Sequence, residues 1–580
     1  MNSYPNFLEK LNNKQREICT SQNNYVVTAC PGSGKTRLIT YRLAYLQWKN
    51  LNSRKYNIAI TYTNRAAEEI DHRIDEMGID LSTIWCGTIH QFCMQFIIRP
   101  YSMYSQYLKS GYKIIDDYVS NKYCQEIAKK LGIDYGYDDP LSFSKIKIEY
   151  YKKLHTNKEI DFELILKLSL KLLKKNFFIC ENISSIIRSI HIDEFQDTNN
   201  LQYEILSEIV KCNKNINVMF VGDTNQGIFR SLGAEAKSIN ELTELFEIPF
   251  QKETLSGCYR STSRIINFYT NFEVNKTGVY SLSEKKDLPG IIKYNTSISK
   301  DNIVREIKKI IESQISQGIP ENEICILAPQ WYQIFPVANA LKKEMPTINF
   351  DAPNISVFKY DPTNPFYLLA KLIFTKSGNR VQIRKRIAND ILNILKNDYQ
   401  IYINDSFDNY SLLKKINNCN CKDNVKDGLE FYEQSVHAIL NAMNVDLDVE
   451  KKLKKTFEDF IDNCNNRIKK YKLSSEYNDF CKSFMEKSGI VVNTIHGVKG
   501  EEYTTVIAFG LLNGMLPNWS YITQEEKQPL RNSETNKLLY VLSSRAKENL
   551  FLFSEKKCFT KNGNEYTPTD ELHNVRFLYD

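Results

Sequence analysis

Short apolar runs rich in β-branched residues punctuate the chain, and most end abruptly in small or polar residues. Tyr25-Val26-Val27-Thr28-Ala29 leads into Cys30-Pro31-Gly32-Ser33-Gly34-Lys35-Thr36, which predicts a strand, a tight turn and a helix start. Ile58-Ala59-Ile60-Thr61 reads as a second buried strand that leaves into a helix after Tyr62-Thr63-Asn64. Ile84-Trp85-Cys86-Gly87-Thr88, Ile190-His191-Ile192 and Val218-Met219-Phe220-Val221 repeat the theme. From Arg99 to Phe162 the pattern turns irregular and rich in Tyr and Lys, and a helical insertion is expected. Ile303 to Leu341 reads helix, strand (Ile324 to Ala328), helix. From 353 to 487 strands vanish, and long amphipathic stretches such as Val449 to Lys472 take over; their apolar positions are helix packing. Strand features resume at Ile490 and run to Phe553.

A chain of 580 residues is too long for one core, so two to four domains are expected. With 25% charged and 42% hydrophobic residues it has the composition of a soluble globular protein. A net charge of +7 permits a polyanionic partner without demanding one. No apolar run is long enough for a bilayer, and Met1 to Gln15 lacks the apolar core of a signal peptide, so a cytoplasmic protein with no membrane partner is expected. The 14 cysteines are scattered, and the close pair Cys419 and Cys421 has no second pair at zinc-ligand spacing; reduced thiols are expected. Only a short polar tail follows Phe553, so a nuclease domain is not expected.

The chemistry gathers at the strand ends. In the Ala29 to Thr36 turn, Gly32, Ser33 and Gly34 let backbone amides approach and cradle phosphate oxygens. Lys35 supplies a cation to the β- and γ-phosphates, Thr36 a hydroxyl to Mg²⁺, and the helix it opens a positive dipole end. Ala29 stands where the first glycine of this pattern is usual. Gln15 carries an amide that matches the N6/N7 edge of adenine, although surface glutamine is common, and Arg37 could lie over the base. Tyr62, Thr63, Asn64 and Arg65 offer a ring, a hydroxyl, an amide and a guanidinium suited to a nucleic-acid backbone and a stacked base; ordinary loop chemistry explains them equally well. Thr88 and His90 close the next strand. Tyr150-Tyr151-Lys152-Lys153 could grip DNA or line a solvated helix face. After Ile190-His191-Ile192 come two adjacent carboxylates with a division of labour: Asp193 for the water shell of Mg²⁺, Glu194 to orient and deprotonate the attacking water. Gln226 follows the next strand, where its amide can feel the γ-phosphate.

Gln196-Asp197-Thr198-Asn199-Asn200, Gly222-Asp223-Thr224-Asn225-Gln226, Cys258-Tyr259-Arg260-Ser261-Thr262, Asn493 to Tyr503 and Leu539 to Ala546 make the resemblance specific. In this order they resemble the motifs of superfamily 1 DNA helicases of the UvrD/Rep/PcrA kind, from Gln15 to Ala546. The resemblance implies an α/β fold of two RecA-like P-loop domains, each with a mainly helical insertion. The first motor domain is expected at 1–98 and 163–250 with its insertion at 99–162, the second at 251–352 and 488–580 with a reduced insertion at 353–487. It implies an ATP hydrolase with Mg²⁺ that moves on single-stranded or tailed DNA with 3′→5′ polarity. Gln15 would read adenine and Tyr259 stack on it, with Arg37 at the base. Arg260 and Arg545 would be arginine fingers from the second motor domain, Gln226 would couple the γ-phosphate to DNA, and Glu502 would meet the ribose. Tyr62, Thr63, Asn64, Thr88, His90, Phe229, Thr494 and His496 match single-strand contacts.

One departure stands out. Ser231 and Leu232 occupy the places of an aromatic and an arginine usual in this family, which removes one base-stacking ring. Two other readings remain open. One is a motor subunit working with a separate nuclease, as in phage-defence complexes of the Gabija type, whose second component is UvrD-like. The other is a scaffold that senses nucleotides without unwinding, for which Glu194, Arg260 and Arg545 would be unnecessary.

Overall fold

The computed structural model describes residues 5–580 except 116, 136–138, 231–232, 352–355, 360, 376–380, 405, 419–426, 472, 485–488 and 561. Cys419, Cys421, Ser231 and Leu232 therefore lie outside the described residues. In chain order the strands are β1 (Tyr25–Ala29), β2 (Tyr56–Thr61), β3 (Ile84–Thr88), β4 (Lys113–Ile114), β5 (Glu159–Ile160), β6 (Ile187–Asp193), β7 (Asn217–Gly222), β8 (Gln251–Leu255), β9 (Gly257–Cys258), β10 (Tyr280–Ser281), β11 (Ile291–Asn295), β12 (Ile324–Ala328), β13 (Phe350–Asp351), β14 (Ile490–Thr494), β15 (Tyr503–Ala508) and β16 (Ala546–Phe553). Two six-stranded sheets result, ordered β3-β2-β6-β7-β1-β8 and β11-β16-β15-β12-β14-β13. Every pairing in both is parallel.

The continuous apolar runs are explained by cores on both faces of each sheet. In β1, Val26 joins one core while Tyr25, Val27 and Ala29 join the other; in β7, Val218 and Phe220 part from Met219 and Val221 in the same way. The second sheet alternates likewise, with Cys325 and Leu327 on one side of β12 and Ile324, Ile326 and Ala328 on the other. Burying one such Val, Ile or Leu side chain contributes about 1.5–3 kcal/mol, so the central strands anchor both sheets.

Between β3 and β6 the chain runs largely through helices, including Asp117–Leu131, Ser144–Asn157, Phe162–Lys175 and Phe177–Ser185. Between β13 and β14 the described residues are mainly helical, with most of the amphipathic stretch at 449–472 in the helix Lys451–Tyr471. This second insertion has its own core, in which Phe358, Phe366, Tyr432, Phe460 and Phe480 meet. Among the described residues no helix is long and apolar enough to cross a membrane.

One boundary moves. Gln251–Leu255, expected to open the second motor domain, pairs in parallel with β1 as the sixth strand of the first sheet. It is an edge strand, exposed over Gln251 and Lys252, so its sequence lacks the apolar signature of its neighbours. The chain then crosses to the second half through Ser256 alone, and β9 begins at Gly257.

The second insertion also reaches back to the first half. Helix α3 (Asn64–Glu76) receives Arg386 on Asp71 and Lys371 on Glu68. Arg386 donates as well to the carbonyl of Ile84 at 3.1 Å, and Arg99 pairs with Asp398 at 3.0 Å. These bonds clasp the insertion to the first sheet's flank.

His191, in β6, is fully buried; its Nδ1 lies 3.1 Å from the carbonyl oxygen of Ile58, and its Nε2 has no partner. Burial, aided by the charge of Arg42, pushes the imidazole down to about 3 from an ordinary 6.5. Between those values the unfolded chain binds a proton that the native chain excludes, so acid destabilises the fold through this group. His191→Gln is expected to flatten the acid limb, worth about 2 kcal/mol near pH 5. Unfolding midpoints near pH 5 and near pH 7.5, compared in both proteins, check this.

Candidate active site

The turn after β1 is shaped by two glycines. Gly32 and Gly34 have φ of 70° and 86°, the left-handed region that a side chain resists, and Gly34 caps helix α2 (Lys35–Lys49). A Cβ on Gly32 would stand 2.5 Å from Cβ of Arg260, so the turn and the crossing strand share one space. The Tyr259 amide donates to the Gly32 carbonyl at 2.8 Å, and its hydroxyl accepts from Asn12 Nδ2 at 2.9 Å. The Tyr259 ring is 43% exposed beside the turn, and Arg37 lies over Tyr41 at 5.5 Å. Gln15 is buried. Its Nε2 donates to the Ser33 carbonyl at 3.0 Å and its Oε1 accepts from the Asn12 amide at 3.2 Å. The amide thus ties the N-cap of its own helix, Asn13–Thr20, to the turn. Ser33 adds a bond from its hydroxyl to the Cys30 carbonyl at 2.7 Å, and Ala29 is buried at the end of β1.

The sheet order brings the carboxylates to this turn. β1 and β6 flank β7, so Lys35 and Thr36 face Asp193 and Glu194 over the carboxyl end of β7. The Thr36 hydroxyl donates to Asp193 Oδ2 at 3.3 Å, and Lys35 Nζ lies 3.8 Å from Glu194 Oε1. Glu194 has φ of 53°, a strained backbone for a residue with a side chain, and Gln196 donates to its carboxylate. Burial, then the neighbouring charge of Glu194, pushes the Asp193 carboxyl up. Glu194 is also penalised by burial, but Lys35, Lys499, Gln196 and Arg545 outweigh this and hold it below the usual range. At neutral pH Glu194 is therefore an anion. Gln196 Oε1 accepts from the Asp223 amide at 2.9 Å, and Asp223 accepts from Gln226 Nε2 at 2.8 Å.

The second half completes the site. Arg545 is 1% exposed; it donates to Gln226 Oε1 at 3.0 Å, the Glu501 carbonyl at 3.1 Å and the Val541 carbonyl at 3.0 Å. Burial, then Arg260 nearby, lowers it to about 10, so it stays charged at neutral pH. Arg260 bonds Glu502 at 2.6 Å and the Ser544 carbonyl at 2.9 Å. Lys499, which had no role in the sequence reading, pairs with the fully buried Asp197 at 2.5 Å and donates to the Gln226 carbonyl at 2.5 Å. Gln196, Asp197 and Asp223 were likewise without a role. A charged residue between Gly497 and Gly500 was the available signal for Lys499.

The same lysine lies 5.2 Å over the Phe229 ring. Phe229 stacks on Tyr62 at 4.6 Å and meets His496 at 5.7 Å, so three distant segments form one aromatic strip across both halves. Thr88 pairs in register with Thr61, which sets the Tyr62 and Thr88 loops side by side. The hydroxyls of Thr63, Thr88 and Thr494 accept the amides of Ala66, Gln91 and Gly497 and so shape their loops. Asn64 Oδ1 is buried without a partner. His90 stands apart from the strip, edge-on to Phe162 at 5.4 Å. Burial pushes His90 down to about 4, and burial together with Lys499 lowers His496, so both are neutral at pH 7.

Lys499→Met would leave the Asp197 carboxylate buried and alone, at a cost of about 3–5 kcal/mol. A fall in unfolding temperature is expected, with most of it recovered by adding Asp197→Asn. A double variant no more stable than Lys499→Met would show that the charge pair is not what holds this contact.

Comparison with known proteins agrees with this geometry. The model of the UvrD/REP helicase N-terminal domain matches residues 11–139 and 137–247, and that of the UvrD-like helicase C-terminal domain matches residues 254–557. The chain is similar to the ATP-dependent DNA helicase PcrA of Staphylococcus epidermidis, 24% identical over 628 aligned positions that cover 94% of this chain and 83% of that protein. It is 23% identical to PcrA of Staphylococcus aureus over the same extent. With both halves matched across the phosphate turn, the carboxylates and the two arginines, the chain belongs to the UvrD/Rep helicase family.

Proposed function

We propose that this ATP-dependent DNA helicase is a translocase that steps along single-stranded DNA, with ATP hydrolysed between the two halves and the strand laid over the Tyr62–Phe229–His496 strip. The observation that carries the reading is that Arg545, from the second half, bonds Gln226 and stands within electrostatic reach of Glu194 in the first, while Arg260 packs against Gly32 of the phosphate turn. A guanidinium delivered from a separate body ties hydrolysis to closure of the cleft.

Each residue has a task in this scheme. The glycine turn and Lys35 bind the triphosphate; Tyr259 and Arg37 flank the base, and Gln15, bonded to the turn, offers its amide to the adenine edge. Thr36 and Asp193 are hard oxygen donors 3.3 Å apart, a pair that fits magnesium and would hold it through water, where it would neutralise phosphate charge. Glu194 takes the proton of the attacking water, and Gln196 fixes its carboxylate. Arg545 and Arg260 leave their protein partners to meet charge growing on the γ-phosphate, and Gln226, bonded to Arg545 and beside Phe229, passes the change to the strand. Stacking on Tyr62 and Phe229 holds bases at about 1–3 kcal/mol each without regard to sequence. The family's 3′→5′ polarity is adopted as the direction.

Steady-state ATPase with and without single-stranded DNA tests the scheme. Stimulation by the strand is expected, with Lys35→Ala inactive, Glu194→Gln reduced by about 10²–10⁴ and Arg545→Ala by about 10³. Phe229→Ala should weaken strand binding by about 5- to 150-fold with intact nucleotide binding. Strand displacement on 3′-tailed but not 5′-tailed duplexes checks the direction. A wild-type chain whose ATPase ignores every single strand has no motor of this kind.

A further inference from the structure

Arg65 is the second residue of α3, directly after the Tyr62-Thr63-Asn64 loop. Its side chain is 62% exposed and forms an ion pair across the cleft with Glu501, whose side chain is 12% exposed. The hydroxyl of Tyr503 donates to the other oxygen of the Glu501 carboxylate. The pair is thus lopsided: a fixed, sheltered carboxylate from the second half and an exposed guanidinium from the first. The carbonyl of Glu501 accepts Arg545 Nη1 at 3.1 Å, and Glu502 holds Arg260 Nε at 2.6 Å. Both fingers therefore rest on two consecutive residues, and the first of these is tied to the DNA-facing edge by Arg65.

We propose that Arg65 and Glu501 form a strand-sensing brake: the pair holds the finger-bearing segment against the first half until a backbone phosphate of single-stranded DNA takes Arg65. This rests on the reading of the Tyr62–Phe229 edge as the strand's path. A guanidinium binds phosphate with the same two-pronged geometry that it uses for carboxylate. An ion pair with one exposed partner is weak enough to exchange, and a polyanion gathers cations such as Arg65 along its path. Exchange leaves Glu501 with Tyr503 and removes this tie of the 499–502 segment to the first half, while Lys499 keeps its hold on Asp197. Arg545 is bonded to the Glu501 carbonyl and Arg260 to Glu502, so loosening these two residues, with Lys499 still anchored, lets both guanidinium groups turn from protein acceptors to the triphosphate. Arrival of the strand is thereby converted into finger movement through one side-chain exchange.

The test uses the full chain, ATPase turnover and an oligothymidylate as the strand. Glu501→Gln is expected to raise strand-free turnover and to cut the ratio of stimulated to strand-free turnover by about fivefold. Arg65→Ala should do the same and also raise the oligothymidylate concentration needed for half-maximal stimulation. Arg65→Glu combined with Glu501→Arg should restore slow strand-free turnover but not stimulation, because a carboxylate at position 65 repels the phosphate. A merely structural pair would instead lower both rates when broken and recover both when swapped. The proposal is overturned if Glu501→Gln leaves the ratio unchanged, or if the swap regains stimulation. If wild type is stimulated and only the variants are silent, the brake alone falls; if wild type ignores the strand, the functional reading falls with it.

Discussion

A guanidinium removed from water needs an acceptor for its N–H groups, and Arg545 finds its acceptors on both halves of the molecule. Burying that charge is unfavourable unless Gln226 is in place, and Gln226 is in place because Asp223, at the end of β7, holds its amide. The sheet of the first half thus sets the position of a charge that belongs to the second. Arg260 obeys the same constraint from the other side, packed so closely on Gly32 that no Cβ is tolerated between them. The proposed nucleotide site is accordingly a seam between two bodies.

Polar groups along the seam are chained, and chaining gives them their chemistry. Gln196 joins Glu194 to the Asp223 amide, and Lys499 joins Asp197 to Gln226 while covering Phe229. A change at Gln226 is therefore one hydrogen bond from the lysine that covers the aromatic strip. In a buried setting, such networks respond together more strongly than separate pairs in water would.

Much of this was legible in the sequence where local rules act. Continuous apolar runs gave the central strands, and the glycine-rich turn with Lys35 and Thr36 needed only neighbouring residues to be read. Asp193 and Glu194 stood out as two acids at a strand end. Arg260 and Arg545 lie hundreds of positions from Lys35, so only resemblance to a family could join them. Gln15 shows what a side chain's chemistry leaves unsaid: its amide suits adenine, and the fold also bonds it to Asn12 and Ser33. Edge strand β8 was misassigned because an edge needs no apolar pattern, and the roles of Lys499 and Arg65 depend on partners hundreds of residues away in sequence.

Two of the attachments between the halves, taken apart from the hydrogen bonds of the seam, have a mechanical consequence. One is covalent, the short crossing at Ser256 pressed on the phosphate turn; the other is the guanidinium–carboxylate clasp of the helical insertion on α3 and Arg99. A rigid body fixed at two separate points keeps a single freedom, rotation about the line through them. While the clasp holds, opening and closing can only be a swivel about that axis. Every excursion of the second half then retraces the same arc, which makes the direction of its stroke a property of the architecture.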